Sequence, residues 1–265
     1  MALNNPYALR FDGVNDYISR WGGLDISEHT VEFLVNQDKL VTFGTCFGLL
    51  DGSTSPPLLL RFVNGELQYF LKRKSSSATT IKSSPIPIQS NYHVACVYDS
   101  QYTMIIYINS IVDNFLDNVI GELAVSTAIN VGRWDVGHFF PGCIDELRVW
   151  NYARTQEQIR ENMNKKLNGN EQGLELYYRF DEGTGNIAYD SSPNGFNGEI
   201  FGATWVPGLV DLSTLAPPGE VLLSATLRGS SSFRIGEPER IKGLSATLKG
   251  SSLITAKPER IRGLS

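Results

Sequence analysis

The sequence predicts an all-β chain, an antiparallel two-sheet jelly-roll sandwich with one short helix, followed by a C-terminal β-repeat stalk. Three observations predict it. Short apolar runs alternate with Gly, Asn, Asp, Pro and Ser turn signals every ~8–12 residues, the rhythm of sandwiches and barrels. A single segment near residues 155–169 has helical periodicity. Beyond a Pro- and Gly-rich linker, the chain repeats itself.

Taken in order, the β runs include Val41-Thr-Phe43, Leu58 to Val63, Leu67 to Leu71, Tyr92 to Tyr98 and Met104 to Asn109. Asn64-Gly65 separates two of them. Both residue types tolerate positive φ, so this dipeptide predicts a tight hairpin. No βαβ alternation competes with the antiparallel reading. The helix begins at the capping box Thr155-Gln-Glu-Gln158, repeats Ile159, Met163 and Leu167, and stops at Gly169. The chain then returns to β at Leu174–Phe180, followed by a turn-rich stretch from Asp181 to Gly202. The expected divisions are a sandwich over 1–208, a linker over 209–220 and a tail over 221–265.

The 265 residues are 42% hydrophobic and 19% charged, a composition that supports a buried core and excludes disorder as the general state. No apolar run approaches the ~18 residues of a membrane span, and the first residues lack the basic and apolar regions of a signal peptide. The expectation is a chain that does not span a membrane or enter an export pathway by its own N-terminus. Cys46, Cys96 and Cys143 are odd in number and set among apolar residues, which predicts buried free thiols and folding in a reducing cytosol. With no Cys-x-x-Cys pair and His29, His93 and His138 far apart in sequence, a zinc or haem site is not expected.

The net charge of −5 divides unevenly. Residues 221–265 carry +5 and residues 1–220 carry −10. A basic tail on an acidic body suits docking on an acidic surface. Nucleic acid is not the expected partner, because the tail has one aromatic residue, Phe233, and no stacking platform. The tail motif Leu223-Ser-Ala-Thr-Leu-Arg-Gly229 recurs as Leu244-Ser-Ala-Thr-Leu-Lys-Gly250, and Pro238-Glu-Arg-Ile-Lys-Gly243 recurs as Pro258-Glu-Arg-Ile-Arg-Gly263. The units, 223–243 and 244–263, each read as strand with one small apolar face, too little for a core of their own. Other copies of the chain would complete it. Leu223, Leu227, Ile241, Leu244, Leu248 and Ile261 are the expected oligomerisation residues, around a threefold axis.

Several segments carry a family likeness. Ala8-Leu-Arg-Phe-Asp-Gly-Val-Asn-Asp-Tyr-Ile18, Asn91-Tyr-His-Val-Ala95 and, most specifically, Phe140-Pro-Gly-Cys-Ile-Asp-Glu-Leu-Arg-Val-Trp-Asn-Tyr-Ala-Arg-Thr155 resemble the opening, central and closing strands of laminin G-like, concanavalin A-like jelly rolls of the pentraxin type. Leu176 to Gly185, Asp190 to Asn194 and Gly202-Ala-Thr-Trp205 resemble a further signature, which in most members precedes the opening strand. Here it follows the helix. It reads as either a truncated second domain or strands that complete the first sandwich, and 35 residues are too few for a jelly roll of their own.

The resemblance brings three chemistries into view. Retaining glucanases of this class place carboxylates in the pattern Glu-x-Asp-x-x-Glu, whereas Cys143 and Arg148 take the two outer positions here and only Asp145 remains. That argues against hydrolysis, and no other catalytic motif appears. Some members hold structural calcium, and Asp12, Asp16, Asp145 and Asp181 lie in the matching segments; the alternative is that Asp12 and Asp181 are turn formers. Trp21, Trp134, Phe139 and Phe140 fall in or beside Gly-rich turns and are the candidate glycan-stacking rings, while Trp150 and Trp205 belong to core. Together these predict a non-enzymatic virion protein, a phage head fibre, capsid decoration or tail fibre. It would be assembled in the host cytoplasm and bound to capsid or tail proteins, with a sandwich for host-surface glycan. The alternatives are an extracellular bacterial lectin or adhesin and, less favoured, a glycan-active enzyme.

Overall fold

The computed structural model describes residues 5–53, 55–74, 78–121, 123–135 and 137–209. The tail units, with Leu223, Leu227, Ile241, Leu244, Leu248 and Ile261, and the linker from residue 210 on lie outside them. The chain divides into two units, residues 1–218 and 219–265.

Two antiparallel sheets of eight strands each face one another, and one short helix lies outside them. Sheet I contains β1 (Tyr7–Asp12), β3 (His29–Gln37), β8 (Tyr92–Tyr98), β9 (Met104–Ile108), β10 (Ile111–Leu116), β12 (Pro141–Trp150), β13 (Leu174–Tyr178) and β16 (Thr204–Pro207). Sheet II runs β14 (Ile187–Ala188), β15 (Gly198–Phe201), β2 (Tyr17–Trp21), β11 (Ala128–Val131), β4 (Gly44–Leu50), β5 (Leu58–Val63), β6 (Glu66–Leu71) and β7 (Thr79–Pro85). Alternation along the strands sends Phe11, Phe33, Val35, Leu58, Leu60, Phe62, Leu67, Tyr69 and Val94 into one apolar core between the sheets. Asn64-Gly65 closes the β5–β6 hairpin with φ of 51° and 87°, as its composition predicts. Val41-Thr-Phe43 is not a strand. β4 begins at Gly44, and Phe43 is left at the rim.

The segment after the helix is woven into both sheets. β13 pairs with β12, β15 with β2 and β16 with β1. On one edge of β12, β1 pairs with Pro141–Ile144 and β13 with Leu147–Trp150. Between these partners lies a bulge at Asp145 and Glu146, and Glu146 has a φ of 51°.

Helix α1 (Gln156–Asn162) starts at the expected capping box, with Thr155 accepting from Gln158 N and Gln158 Oε1 accepting from Thr155 N. It ends earlier than the sequence pattern suggests. Leu167 therefore lies in the following loop, where it packs on Trp150, Leu174 and Tyr177, and Gly169 is not its stop. Ile159 packs on Ala95, Val97 and Tyr107, on the outside of sheet I.

That outer surface also carries a buried charge network. Glu32, fully buried on β3, accepts from Arg154 at 2.6 Å and from Trp150 Nε1 at 3.0 Å, with Arg148 at 3.6 Å and His93 Nε2 at 3.5 Å. Arg148 also binds Glu146 at 2.5 Å and donates to the carbonyls of Asn162 and Lys165, so the guanidinium ties the end of the helix to the sheet. Cys46, Cys96 and Cys143 are buried free thiols. Among the described residues, no helix is long and apolar enough to cross a membrane.

Candidate functional site

Which sheet face can meet a ligand follows from what covers each one. Three satellite apolar clusters all lie on the outside of sheet I, under α1, under the loop ending at Leu167 and under Val206 to Leu209. Among the described residues, no helix or strand packs over the outside of sheet II. Sheet II therefore offers the free face.

On that face, residues that alternate with the core positions line up by strand register. Thr45 on β4 lies opposite Arg61 on β5, Arg61 opposite Gln68 on β6, and Gln68 opposite Lys82 on β7. In the adjoining row, Asn130 on β11 lies opposite Gly48, Gly48 opposite Leu59, and Leu59 opposite Phe70. Thr45 is 0% exposed and Asn130 3%, yet Thr45 Oγ1 and Asn130 Oδ1 have no hydrogen-bond partner among the described residues. An unpartnered buried oxygen costs about 1–3 kcal/mol.

Aromatic rings stand at one end of these rows. Past β11, the chain loops out at Arg133 and returns with Phe140 N donating to Gly132 O and Thr45 N to His138 O. Trp134 stacks on His138 with centroids 5.0 Å apart, His138 meets Phe43 edge-on at 5.1 Å, and Arg61 lies over Phe43 at 5.1 Å. Asp135 binds His138 Nδ1. On the other side, Arg133 lies 3.4 Å over Tyr17, which stacks on Phe201 at 4.5 Å. The end of the face is thus a row of half-exposed rings and guanidinium groups beside a polar floor.

The sequence candidates fall differently from one another. Trp134 and Phe139 share this loop, and both are half-buried. Trp21 is 87% exposed but lies at the opposite end of β2. Phe140 requires correction: it is fully buried, its ring 5.9 Å from Phe62 inside the core, so it presents nothing to a ligand. Tyr17, Phe43, Thr45, Arg61, Asn130, Arg133 and His138 carry no local motif; strand register brings Tyr17, Thr45, Arg61 and Asn130 to this face, and Phe43, Arg133 and His138 reach it from the adjoining loops.

The calcium candidates are not brought together either. Asp12 Oδ1 accepts from Val14 N and Asn15 N, the turn-forming role, and Asp16 Oδ2 accepts from Asp12 N. Asp145 is buried and takes Asn5 Nδ2 and Leu209 N, and burial raises its carboxyl well above the usual range. Asp181 pairs with Lys166. Among the described residues, no group of three or more His, Cys, Asp or Glu side chains could hold a metal ion. In the strand that matches the glucanase pattern, Arg148 and Glu146 bind each other and Tyr177 donates to Glu146 at 2.5 Å.

Similar folds occur in proteins of several kinds. A Bacteroides ovatus protein assigned a carbohydrate-binding role superposes with a TM-score of 0.61 at 24% identity, over 77% of this chain and 60% of its own. This chain therefore spans about three fifths of that protein's length. The heptameric SAP-like pentraxin of Limulus polyphemus gives 0.49 at 17% identity over 59% and 81% of the two chains. The receptor binding domain of botulinum neurotoxin D gives 0.48 at 12% over 61% and 46%. A search of curated protein sequences returns no match. Residues 12–160 match the profile of the concanavalin A-like lectin/glucanases superfamily, more than half of the chain, and the protein belongs to that superfamily.

Proposed function

We propose that the sandwich is a non-enzymatic glycan-binding module whose site is the Trp134 end of the free face of sheet II. The observation that carries this reading is the pairing of Thr45 Oγ1 and Asn130 Oδ1, buried and unpartnered, with the ring row of Trp134, His138 and Phe43. Sugars present hydroxyls at the ring edge and apolar C–H on the ring face. A polar floor beside aromatic rings answers both. The non-enzymatic part rests on the strand Cys143–Arg148, whose acids are held in buried bonds rather than as an open carboxylate pair. A glycan array probed with the full chain is the test. Trp134→Ala and Asn130→Ala are each expected to weaken the best ligand about tenfold or more. An array without a hit, or variants that bind as well as the parent, would overturn the reading.

The repeat favours a second component. Leu223-Ser-Ala-Thr-Leu and its copy at Leu244 support presentation of the sandwich on a homotrimeric fibre of a virion, with an extracellular adhesin as the alternative setting. Light scattering on the full chain is expected to give a stable trimer. A monomer at micromolar concentration would remove the fibre and leave the glycan site unaffected.

A further inference from the structure

We propose that the ligand is an acidic oligosaccharide whose carboxylate or sulfate groups are received by Arg61 and Arg133. This rests on the glycan-binding reading and adds the charge and length of what is bound.

Residues 1–220 carry a net charge of −10, and many cations of the sandwich have found carboxylates: Arg10 with Asp38, Lys72 with Asp51, Lys82 with Glu66, Lys166 with Asp181, and Arg148 and Arg154 with Glu32. Arg61 and Arg133, both half-buried on the free face, have no carboxylate partner among the described residues. Among the described residues of an acidic protein, two arginines thus stand without a carboxylate on the sheet face that no helix or strand covers, which leaves room for an outside anion.

Each guanidinium is also held in place. Arg61 lies over Phe43 and donates from Nε to Gln68 Oε1 at 3.1 Å, which leaves its outer N–H groups as donors. Arg133 lies over Tyr17, itself backed by Phe201. A ring-supported fork is prepared for planar, two-pronged recognition of carboxylate or sulfate, and little side-chain freedom remains to be lost on binding. Burial lowers the Arg61 guanidinium from its ordinary value, a cost that a bound anion offsets. The acid of the adjoining loop, Asp135, is engaged by His138 and does not neutralise either arginine.

The spacing sets a minimum length. Arg61 is on β5, whereas Arg133 lies over Tyr17 of β2, with β11 and β4 between. Three strand spacings amount to about 14 Å, longer than one sugar ring. The Trp134 and His138 stack and the buried Thr45 belong to the same end of the face, so a chain of sugars that meets both arginines also meets the polar floor and the rings.

The experiment is an array of neutral, uronate-bearing, sialylated and sulfated oligosaccharides probed with the full chain, followed by calorimetry of the best ligand and its charge-neutral ester or desulfated form. The acidic form is expected to bind about tenfold tighter, with the uronate, sialylated and sulfated arms separating carboxylate from sulfate. Arg61→Gln and Arg133→Gln are each expected to remove most of that advantage, bringing the affinity for the acidic form close to that for the neutral form. Arg160→Gln, an exposed change on the helix, is expected to leave both affinities alone, which separates a local site from general charge attraction. Unchanged thermal midpoints would show that the arginine variants fold. Hits confined to neutral glycans, or an acidic preference that survives both variants, overturn the proposal and leave glycan binding standing; no hits of any kind overturn both.

Discussion

Glu32→Ala is expected to cost the sandwich about 3–5 kcal/mol, a large fraction of the ~5–15 kcal/mol by which a domain is stable, as read from urea denaturation. The cost comes from stranded charge. Removing Glu32 leaves Arg154 and Arg148, both nearly inaccessible, with Glu146 as the remaining acid of the network, and it leaves the Trp150 indole N–H without its acceptor. Because Arg148 also holds the carbonyls of Asn162 and Lys165, loosening it frees the helix end and the loop that covers sheet I. Glu32→Gln keeps the indole bond and the packing and is expected to cost less than the alanine variant.

The same network sets a pH dependence. Burial alone would raise the Glu32 carboxyl, but the His93 contact and the charges of Arg154 and Arg148 outweigh it and hold the group at about 2, against an ordinary 4.5. A depressed acid stabilises the folded state above its ordinary value, and that contribution is lost as pH falls from 4.5 toward 2. Burial also lowers His29, to about 4, and His93. Below 6.5, therefore, the unfolded chain takes up protons that the folded chain refuses, and stability falls with pH there too. The contribution of these groups to the urea midpoint is expected to decline from pH 6.5 toward 4 through the histidines and to fall further through Glu32, while the raised carboxyl of Asp145 acts in the opposite direction. In Glu32→Gln the last stage should be smaller, with Asp12 and Asp51, whose carboxyls are also lowered, supplying what remains.

This network also marks a limit of what the sequence shows. Strands with an apolar run bounded by turn residues, such as Leu58–Val63, are visible in the sequence, and Asn64-Gly65 announces its turn. β12 is buried along its whole length, so its acids and arginine look like surface residues interrupting a strand until α1 and the loop after it are seen to cover them. For the candidate site, Trp134 is visible from its Gly-rich turn, but Phe139 and Phe140 are indistinguishable as neighbours, and the bond from Phe140 N to Gly132 O helps turn one ring into the core. Thr45, Arg61 and Asn130 are ordinary strand residues whose meaning lies in the registers β4–β5 and β11–β4, pairings that no local window contains.

A chain ending at Gly173 is expected not to fold, whereas one ending at Leu209 should unfold cooperatively. The segment between them is not an appendage to a finished sandwich. It supplies β13 along the Leu147–Trp150 half of a β12 edge, β15 to β2 and β16 to β1, so its loss opens pairing edges in both sheets at once. It also contributes Leu176, Tyr178, Phe180, Ala188 and Ile200 to the main core and Leu174 to the cluster around Trp150. Removing one large core side chain costs about 2–5 kcal/mol, so several together exceed the ~5–15 kcal/mol by which a domain is stable. Asp190 adds to this from within the segment, accepting from Tyr177 N, Ser192 N and Phe196 N and so fixing β13 to the turn that follows. Circular dichroism and urea titration of the two truncations decide the matter. A cooperative transition in the shorter chain would mean that residues 174–209 decorate a sandwich that is already complete, and the permuted order of the family signature would then have no structural role.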